Sequence, residues 1–558
     1  MTKTIITLVL STTFLIACGG GSTDQRSQVA STVTANLPAV AAALPPSEVA
    51  NVAPDTPMND ADVHRLLNQT TYGPTLKDMN SLGGSSAEQW IDAQMQLPAN
   101  YLTDELNRGN VDQWNEYVNA WWRQSIYAPD QLRQRVAFAL SQILVVSGQS
   151  GINEEQHGLA NYYDILMRNA FGNYRQILEE VTLNPIMGEY LSMKGNQKPD
   201  PANNVRADEN YARELLQLFT IGLEQLNPDG TPKLDDGGVP LPTYDQEIVE
   251  NYARVFTGWH FANADDFRYT QNKDYINPMK SFPEFHDTDE KTLINGIKVP
   301  AGQTPEQELK IALDSVFNHP NVGPFIAKQL IQRLVTSNPS PEYVRDVAAV
   351  FDNNIAGQRG SLGSTVKAIL MHREARLGAT ANPDTFGKVK EPLMRLTNVW
   401  RAFQPDEIPE NFNYGWVLND LQQSPLNSPT VFNFFRPDYR QPGTLNLQDL
   451  KSPELQIIDE SAIITLTNRL LANTLWSNNV TTDPSSNSIL IKIDNELQLV
   501  QNPETFVDHL DRLLLGGTMS TGLRSVALEL IESTNRDSNK VVDTIFLIAS
   551  SPEGAIQR

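Results

Sequence analysis

Apolar residues three and four apart, repeated in segment after segment, leave this chain little choice but a stack of amphipathic helices. Leu132, Val136, Ala139, Leu140 and Ile143 mark one such face, and Tyr211, Leu215, Leu218, Phe219 and Gly222 mark another. Ile248, Tyr252, Val255, Phe256 and Trp259 form a third, and Val322, Ile326, Leu330, Ile331 and Leu334 a fourth. That spacing brings each apolar side chain back to one side of a 3.6-residue turn. It predicts further helices over about 343–353, 363–372, 386–403, 454–474, 504–516, 521–535 and 538–550. The best strand signal is Ser488 to Asp494, with a short one at Ile294 to Val299. The fold class expected is therefore mainly α: a large multi-helix globular domain with a few short strands and long loops. Two segments, Asn227 to Tyr244 and about 262–303, exceed ordinary connection lengths and are expected to carry function or small structure of their own.

Helical spacing begins only near Met58, at Asp60-Ala-Asp-Val-His-Arg-Leu-Leu, and stops at Gly73-Pro74. Upstream the chain reads as processing and tether. Lys3 and an apolar run from Ile5 to Ile16, too short to span a bilayer, precede Leu15-Ile16-Ala17-Cys18-Gly19. This resembles a bacterial lipobox, so residues 1–17 are expected to be a lipoprotein signal peptide and Cys18 the lipidated residue. Gly19 after the cysteine resembles lipoproteins sorted to the outer membrane. Residues 18–57, rich in Gly, Ser, Thr, Ala, Val and Pro, read as a flexible tether, and 58–558 as the helical domain, with a subdivision placed near 440–455. No later stretch is long and apolar enough to span a membrane, which leaves lipid as the expected anchor.

The net charge of −23 argues against nucleic-acid binding and against a polybasic membrane surface. Cys18 is the one cysteine, so internal disulfides, thiolate zinc clusters and CxxC redox chemistry are excluded. The chain also lacks GxSxG, HExxH, GxxxxGK and GxGxxG, which removes most support for serine-hydrolase, zincin and nucleotide-binding readings.

Four groups of residues could carry chemistry. In Arg206-Ala-Asp208-Glu209-Asn210-Tyr-Ala-Arg213-Glu214, helical spacing puts Glu209 beside Arg213, and Asn210, Glu214 and Gln217 on a neighbouring face. This is either a carboxylate pair poised by an arginine or a salt-bridged helix face. Its core recurs as Glu250-Asn251-Tyr252-Ala253-Arg254. Pro283-Glu284-Phe285-His286-Asp287-Thr288-Asp289-Glu290-Lys291 gathers a histidine, carboxylates and a lysine in a loop, where His286, Asp287 and Asp289 could hold a divalent metal, or simply be solvated. Asn227-Pro-Asp229-Gly230-Thr231 resembles part of a calcium loop, with Gln225 where Asp is expected and Asp236 where Glu is expected; the alternative is a Pro-Asp-Gly turn. His260 could complete a site or satisfy helix-terminal carbonyls, and Trp121, Trp122 and Trp416 could stack on sugars or fill the core.

In order along the chain, His64-Arg65-Leu66-Leu67, Arg133-Gln134-Arg135-Val136-Ala137-Phe138, Asn210-Tyr211-Ala212-Arg213-Glu214-Leu215, Ala253-Arg254-Val255-Phe256-Thr257-Gly258-Trp259, His286-Asp287 with Lys291-Thr292, and Ser428-Pro429-Thr430-Val431-Phe432-Asn433-Phe434-Phe435-Arg436-Pro437-Asp438-Tyr439 are similar to blocks of the bacterial family called domain of unknown function 1800. The resemblance spans about 58–558. This chain departs in carrying Asp289 where the family is expected to have glycine. The family implies an exported, largely helical protein and assigns no catalytic residue. Its genes often neighbour those of a second exported family, domain of unknown function 1501, a candidate partner. Two functions stay open on the sequence. One is an accessory or binding lipoprotein of the cell envelope, acting on a partner protein or an extracellular polymer. The other is a hydrolase or lyase acting on such a polymer, with Glu209, Arg213, Glu214, His260, His286, Asp287 and Lys291 converging on one cleft.

Overall fold

The computed structural model of the protein describes residue 53 and residues 55–107, 116–405, 408, 418–476 and 491–558. The leader, Cys18, nearly all of the tether, Trp416 and residues 488–490 lie outside the described residues, and Ile491 to Ile493 form no strand.

Polar caps fix where the helices start. Asn59, Ser340, Ser361 and Ser520 each accept a hydrogen bond from the N–H three residues on, opening Asp60–Thr70, Pro341–Asp352, Leu362–Met371 and Thr521–Ser533. Each such cap contributes about 1 kcal/mol by satisfying a donor that the helix itself leaves unpaired. Thr304 and Gln307 form a reciprocal capping box ahead of Pro305–Phe317.

Helices dominate the described residues, and strands are confined to three two-residue antiparallel pairs. The expected helix over 386–403 begins at Pro392, because Gly387 turns the chain with φ +115° and Lys388–Val389 pairs with Ile556–Gln557. The expected helix over 454–474 is broken. Pro453–Gln456 is a short 3₁₀ turn, and Glu460–Asn468 then passes into a π-helical stretch, Arg469–Trp476. At 294–299 only Lys298–Val299 is a strand. Asn295 and Gly296 both take positive φ and turn it back onto Lys291–Thr292, the geometry that an Asn-Gly hairpin turn demands.

Trp121 and Trp122 lie in the core rather than on the surface. Both are buried on Glu116–Tyr127, packed edge-on against each other, with Trp122 also edge-on to Trp400 at 5.3 Å and Trp121 donating Nε1–H to the Tyr163 hydroxyl at 3.0 Å. Such edge-to-face pairs add about 1 kcal/mol each beyond the area they bury. Val322–Leu334 packs between Gln131–Ser141 on one side and Pro341–Asp352 and Leu362–Met371 on the other. Both faces of these two inner helices are therefore buried, and their polar residues need interior partners. Arg135 donates to the carbonyl of Arg333, and Arg333 to that of Gln142.

The same interior holds down the block Ser428 to Tyr439. Gln423, just before it, donates to the buried Glu391, which also accepts from Gln142, both at 2.6 Å. Glu454, just after it, pairs with the buried Lys388 at 3.0 Å. Phe434, Phe435 and Ile457 form a small cluster separate from the main core, in the neighbourhood where the sequence places a subdivision.

Candidate functional site

Two short helices set the first polar group. Glu209 precedes Asn210–Glu214 without capping it through its side chain, and one turn later Arg213 returns its guanidinium to the Glu209 carboxylate at 2.7 Å. Gln246, at the start of Gln246–Val255, ties the two helices together. Its amide donates to Glu209 at 2.9 Å, and its carbonyl accepts from Arg213 at 3.2 Å. The pair is partly open to solvent, with 32% of the Glu209 side chain and 41% of Arg213 exposed.

Beyond Glu214 the helix widens into a π-helical segment, Leu215–Thr220, a rare form that recurs at functional sites. Glu214 is half-buried, and its Oε2 meets no hydrogen-bond partner. Burial raises its pKa, against the opposing charge of Arg213. The Tyr244 hydroxyl is likewise buried and unpartnered. Burial lifts the pKa of both Tyr190 and Tyr244 to about 12, and the nearby Glu214 charge adds to the shift in each.

At the far end of Gln246–Val255 the His-Asp loop closes over a buried polar interior. Here the echo diverges: Arg254 leaves Glu250 aside and forks onto Asp287, with Nε and Nη2 each 2.9 Å from a carboxylate oxygen. Lys291 is 1% exposed; it donates to the carbonyls of Asp287 at 2.6 Å and Asp289 at 2.9 Å, and reaches Glu308 at 2.9 Å. His286 and Glu308 are fully buried, with His286 Nε2 3.3 Å from the Glu308 carboxylate and Nδ1 3.0 Å from the Thr257 carbonyl. Burial would raise the Asp287 carboxyl, but the Arg254 fork and the Lys291 charge hold it below its ordinary value. Arg254, Lys291, Asp287 and Glu308 balance in charge, which is how an interior accommodates ionised groups.

The loop is therefore solvated only in part: Glu284, Asp289 and Glu290 are exposed, while His286, Asp287 and Lys291 are buried. His286 and Asp287 turn to different partners while Asp289 is exposed, and among the described residues no group of three His, Cys, Asp or Glu side chains is placed to hold a metal ion. The turn at Asp289 needs no glycine, because the Asp287 carboxylate accepts from the Asp289 N–H at 3.0 Å. The putting of glycine at 258 has a clear cause instead. Its φ is +83°, and a Cβ would lie 2.9 Å from the Phe282 carbonyl oxygen and 3.0 Å from the His286 nitrogen. The 227–236 segment is likewise a turn. Asp229 accepts from the N–H and hydroxyl of Thr231, and Leu226 and Leu234 bridge to Pro232 and Pro240.

His260 caps no helix. Thr257 satisfies the Arg254 carbonyl, and His260 lies on the strand Trp259–His260, edge-on to Phe261, Phe267 and Phe282. Its Nδ1 accepts from the Phe261 N–H at 2.9 Å. Burial, and then the charge of Lys194, lower its pKa to about 4, so at neutral pH the proton sits on Nε2. That nitrogen faces Gly195, where an added Cβ would come no closer than 3.8 Å to the ring.

The segment 189–196 joins His260 to the first group. Gly195 N–H donates to the Trp259 carbonyl at 2.8 Å, Lys194 pairs with Glu189 at 3.1 Å, and Tyr275 donates to Glu189 at 3.4 Å. Asn196 makes two hydrogen bonds to the Asp208 backbone, accepting from its N–H at 2.8 Å and donating to its carbonyl at 3.1 Å, immediately before Glu209. Glu209, Arg213 and Glu214 thus connect through 189–196 to the buried His260, whereas His286, Asp287 and Lys291 are tied to one another in the interior. The open groove between Asn173, Arg175 and Asp314 contains none of them, and Arg175 is already paired with Glu179 and Asp314.

The family model described as a protein of unknown function, DUF1800, matches residues 65–555. The chain belongs to the DUF1800 family. No curated protein and no solved structure matches it at a significant level. In this DUF1800 protein, sequence reasoning overlooked Tyr190, Lys194, Tyr244 and Gln246 around the first group, and Arg254 and Glu308 in the interior. The repeated Glu-Asn-Tyr-Ala-Arg was the one available signal for Arg254; the tyrosines stand isolated in sequence and offered none.

Proposed function

We propose that the protein is an exported envelope lipoprotein, held to the outer membrane by lipid on Cys18, that binds an extended partner along the surface around Glu209 and Arg213. The observation that carries this reading is the separation of the seven nominated residues. Acid/base work needs its groups around one reacting atom. Here Glu209 and Arg213 already satisfy each other at the surface, and His286, Asp287 and Lys291 are consumed in a buried, charge-balanced network. A polar strip with partly open side chains suits recognition, where many modest contacts sum along a surface. No helix among the described residues is long and apolar enough to cross a membrane, in keeping with an anchor supplied by lipid.

The test is affinity capture from detergent-solubilised envelopes with the lipidated protein as bait, analysed for both protein and glycan. A partner lost when Glu209 and Arg213 are both changed to Ala supports the reading, and a member of the domain of unknown function 1501 family would be the protein outcome to look for. Absence of any partner enriched over bait-free beads overturns it. Release of new reducing ends from an extracellular polysaccharide, abolished in Glu214→Gln, would instead favour the hydrolase reading.

A further inference from the structure

We propose that Lys328 and Lys451 make an imine-forming site, in which the Lys328 amine adds to the carbonyl carbon of a small aldehyde and the Lys451 ammonium handles the proton. The site uses none of the residues around Glu209 and does not depend on the binding reading above.

Three segments bring the two amines together. Lys328 stands on Val322–Leu334, the helix fixed between Gln131–Ser141 and Pro341–Asp352. The Pro-Asp-Gly turn lies against its stem. A Cβ at Gly230 would sit 3.6 Å from Lys328 Cδ, and the Gly230 carbonyl accepts from Lys328 Nζ at 3.3 Å. Lys451 follows the Ser428 to Tyr439 block, and the Asn338 side chain holds its backbone, donating to its carbonyl at 2.9 Å and accepting from its N–H at 2.8 Å. The two lysine side chains hydrogen bond to each other. Both are half-buried and open in part to solvent, whereas Lys291 and Lys388 are sealed in the interior.

A hydrogen bond between two amines constrains their protonation. An ammonium has three donors and no acceptor, so one partner must be neutral and offer its lone pair. Among the described residues neither amine is within ion-pair distance of a carboxylate. Asp229 and Asp438 act on Lys328 from farther off, and Asp449 and Asp438 on Lys451, where Arg440 opposes them. Burial, and then the Lys451 charge, lower the Lys328 pKa to about 8. The shared hydrogen bond lowers Lys328 and raises Lys451, so Lys328 is the partner that gives up its proton.

A neutral amine beside a cation is the arrangement that activates a lysine toward carbonyl compounds. The Lys328 lone pair bonds to the carbonyl carbon, and the C=O π pair moves to oxygen, which takes a proton from Lys451. The nitrogen returns a proton to Lys451, whose ammonium then protonates the leaving hydroxyl, and water departs as the C=N bond closes. Amine and aldehyde become iminium and water, and one positive charge passes from Lys451 to the new nitrogen. An anion fits the pair less well, because it needs both amines charged and meets Asp229, Asp438 and Asp449 around them.

Incubating the folded full-length protein with glycolaldehyde, trapping with sodium borohydride and mapping the modified lysines by mass spectrometry tests this. At pH 7 the neutral fraction of Lys328 is roughly 200 times that of an ordinary lysine. Weaker basicity and half-burial offset part of that advantage, so the adduct is expected at Lys328 about tenfold faster or more than at the open Lys298 and Lys310. The rate at Lys328 is expected to level off above pH 8, while the open lysines keep gaining beyond pH 9. Lys451→Met, which removes the neighbouring charge, is expected to slow Lys328 severalfold and move its profile to higher pH. Lys451→Arg, which keeps a cation and a donor there, is expected to retain most of the rate. Thermal midpoints within a few degrees of wild type show that both variants fold, and the wild-type pH profile stands without them. Labelling of Lys328 no faster than of Lys298 and Lys310 overturns the proposal, as does an unchanged Lys328 rate in folded Lys451→Met or a wild-type profile that climbs like that of an open lysine.

Discussion

Replacing Lys291 with methionine removes one charge from an interior where four were balanced. Methionine fills most of the volume, so the change isolates electrostatics from packing. In the native protein the ammonium touches Glu308 at 2.9 and 3.0 Å and two backbone carbonyls at 2.6 and 2.9 Å. After substitution, Glu308 is left fully buried with His286 Nε2, 3.3 Å away, as its remaining neighbour, and both carbonyls lose their donor. Breaking a buried pair from one side costs about 3–5 kcal/mol, a large share of the roughly 5–15 kcal/mol that holds a folded domain together. At roughly 2.1 cal/mol/K per residue, a folded part of about 500 residues has a midpoint entropy near 1 kcal/mol/K, so the loss lowers the thermal midpoint by about 4 °C. The double variant Lys291→Met with Glu308→Leu removes the stranded carboxylate and should recover at least half of the loss. Scanning calorimetry with urea unfolding as a second probe reads both. A single variant within 1 kcal/mol of wild type, or a double variant no better than the single, would refute the account of this network as a mutually dependent interior pair.

Other outcomes follow from the same contacts. Asp287 is held below its unfolded pKa, so its contribution is present above that value and is lost as pH falls through the folded one; Asp287→Asn should lower the urea midpoint at pH 7 and flatten its decline below about pH 4. Glu214 has the opposite sign: with its pKa raised by burial, the stability it contributes is present below the unfolded value and lost as pH rises through the folded one. Urea midpoints of Glu214→Gln should therefore gain on wild type as pH rises above the ordinary carboxylate range, and a constant difference would count against the burial of that carboxyl. Gly258→Ala, which puts a methyl group against the Phe282 carbonyl in left-handed backbone, should cost about 2 kcal/mol or more by urea unfolding. Cys18→Ser should shift the protein from the membrane pellet to the soluble fraction on envelope fractionation, and intact mass should show the wild-type chain starting at a lipidated Cys18; an unmodified precursor in membranes would refute the anchor.

The helices were readable because their signal is local: an apolar residue at Leu330 or Leu334 reports its face whatever the rest of the chain does. Contacts that depend on distant partners were not. Nothing near Asp287 announces Arg254, and Glu308 reads as an ordinary first-turn acid of Pro305–Phe317, although it lies at the bottom of the His-Asp loop. Expecting a solvated acidic loop there was reasonable for a run of carboxylates. It holds for Glu284, Asp289 and Glu290 and fails for Asp287, which is held inside by a compensating pair of cations, Arg254 from a preceding helix and Lys291 from the end of the loop itself. The hairpin at Asn295-Gly296 was legible from its two turn residues, but the apolar positions around it suggested a single strand instead. In the first group, Glu209 with Arg213 was legible from spacing, while Tyr190 and Tyr244 reach Glu214 only through the fold.

The pairing of Lys388–Val389 with Ile556–Gln557 sets an order on biogenesis. Gln557 is buried, and its amide also donates to the Leu334 carbonyl at 2.8 Å, so the centre of the molecule waits for residues far downstream in the sequence. A chain emerging from one end must therefore present the whole 223-residue separation between Leu334 and Gln557 before that seam can shut, and a segment halted short of it would offer Lys388 and its neighbours to whatever chaperone or protease is at hand.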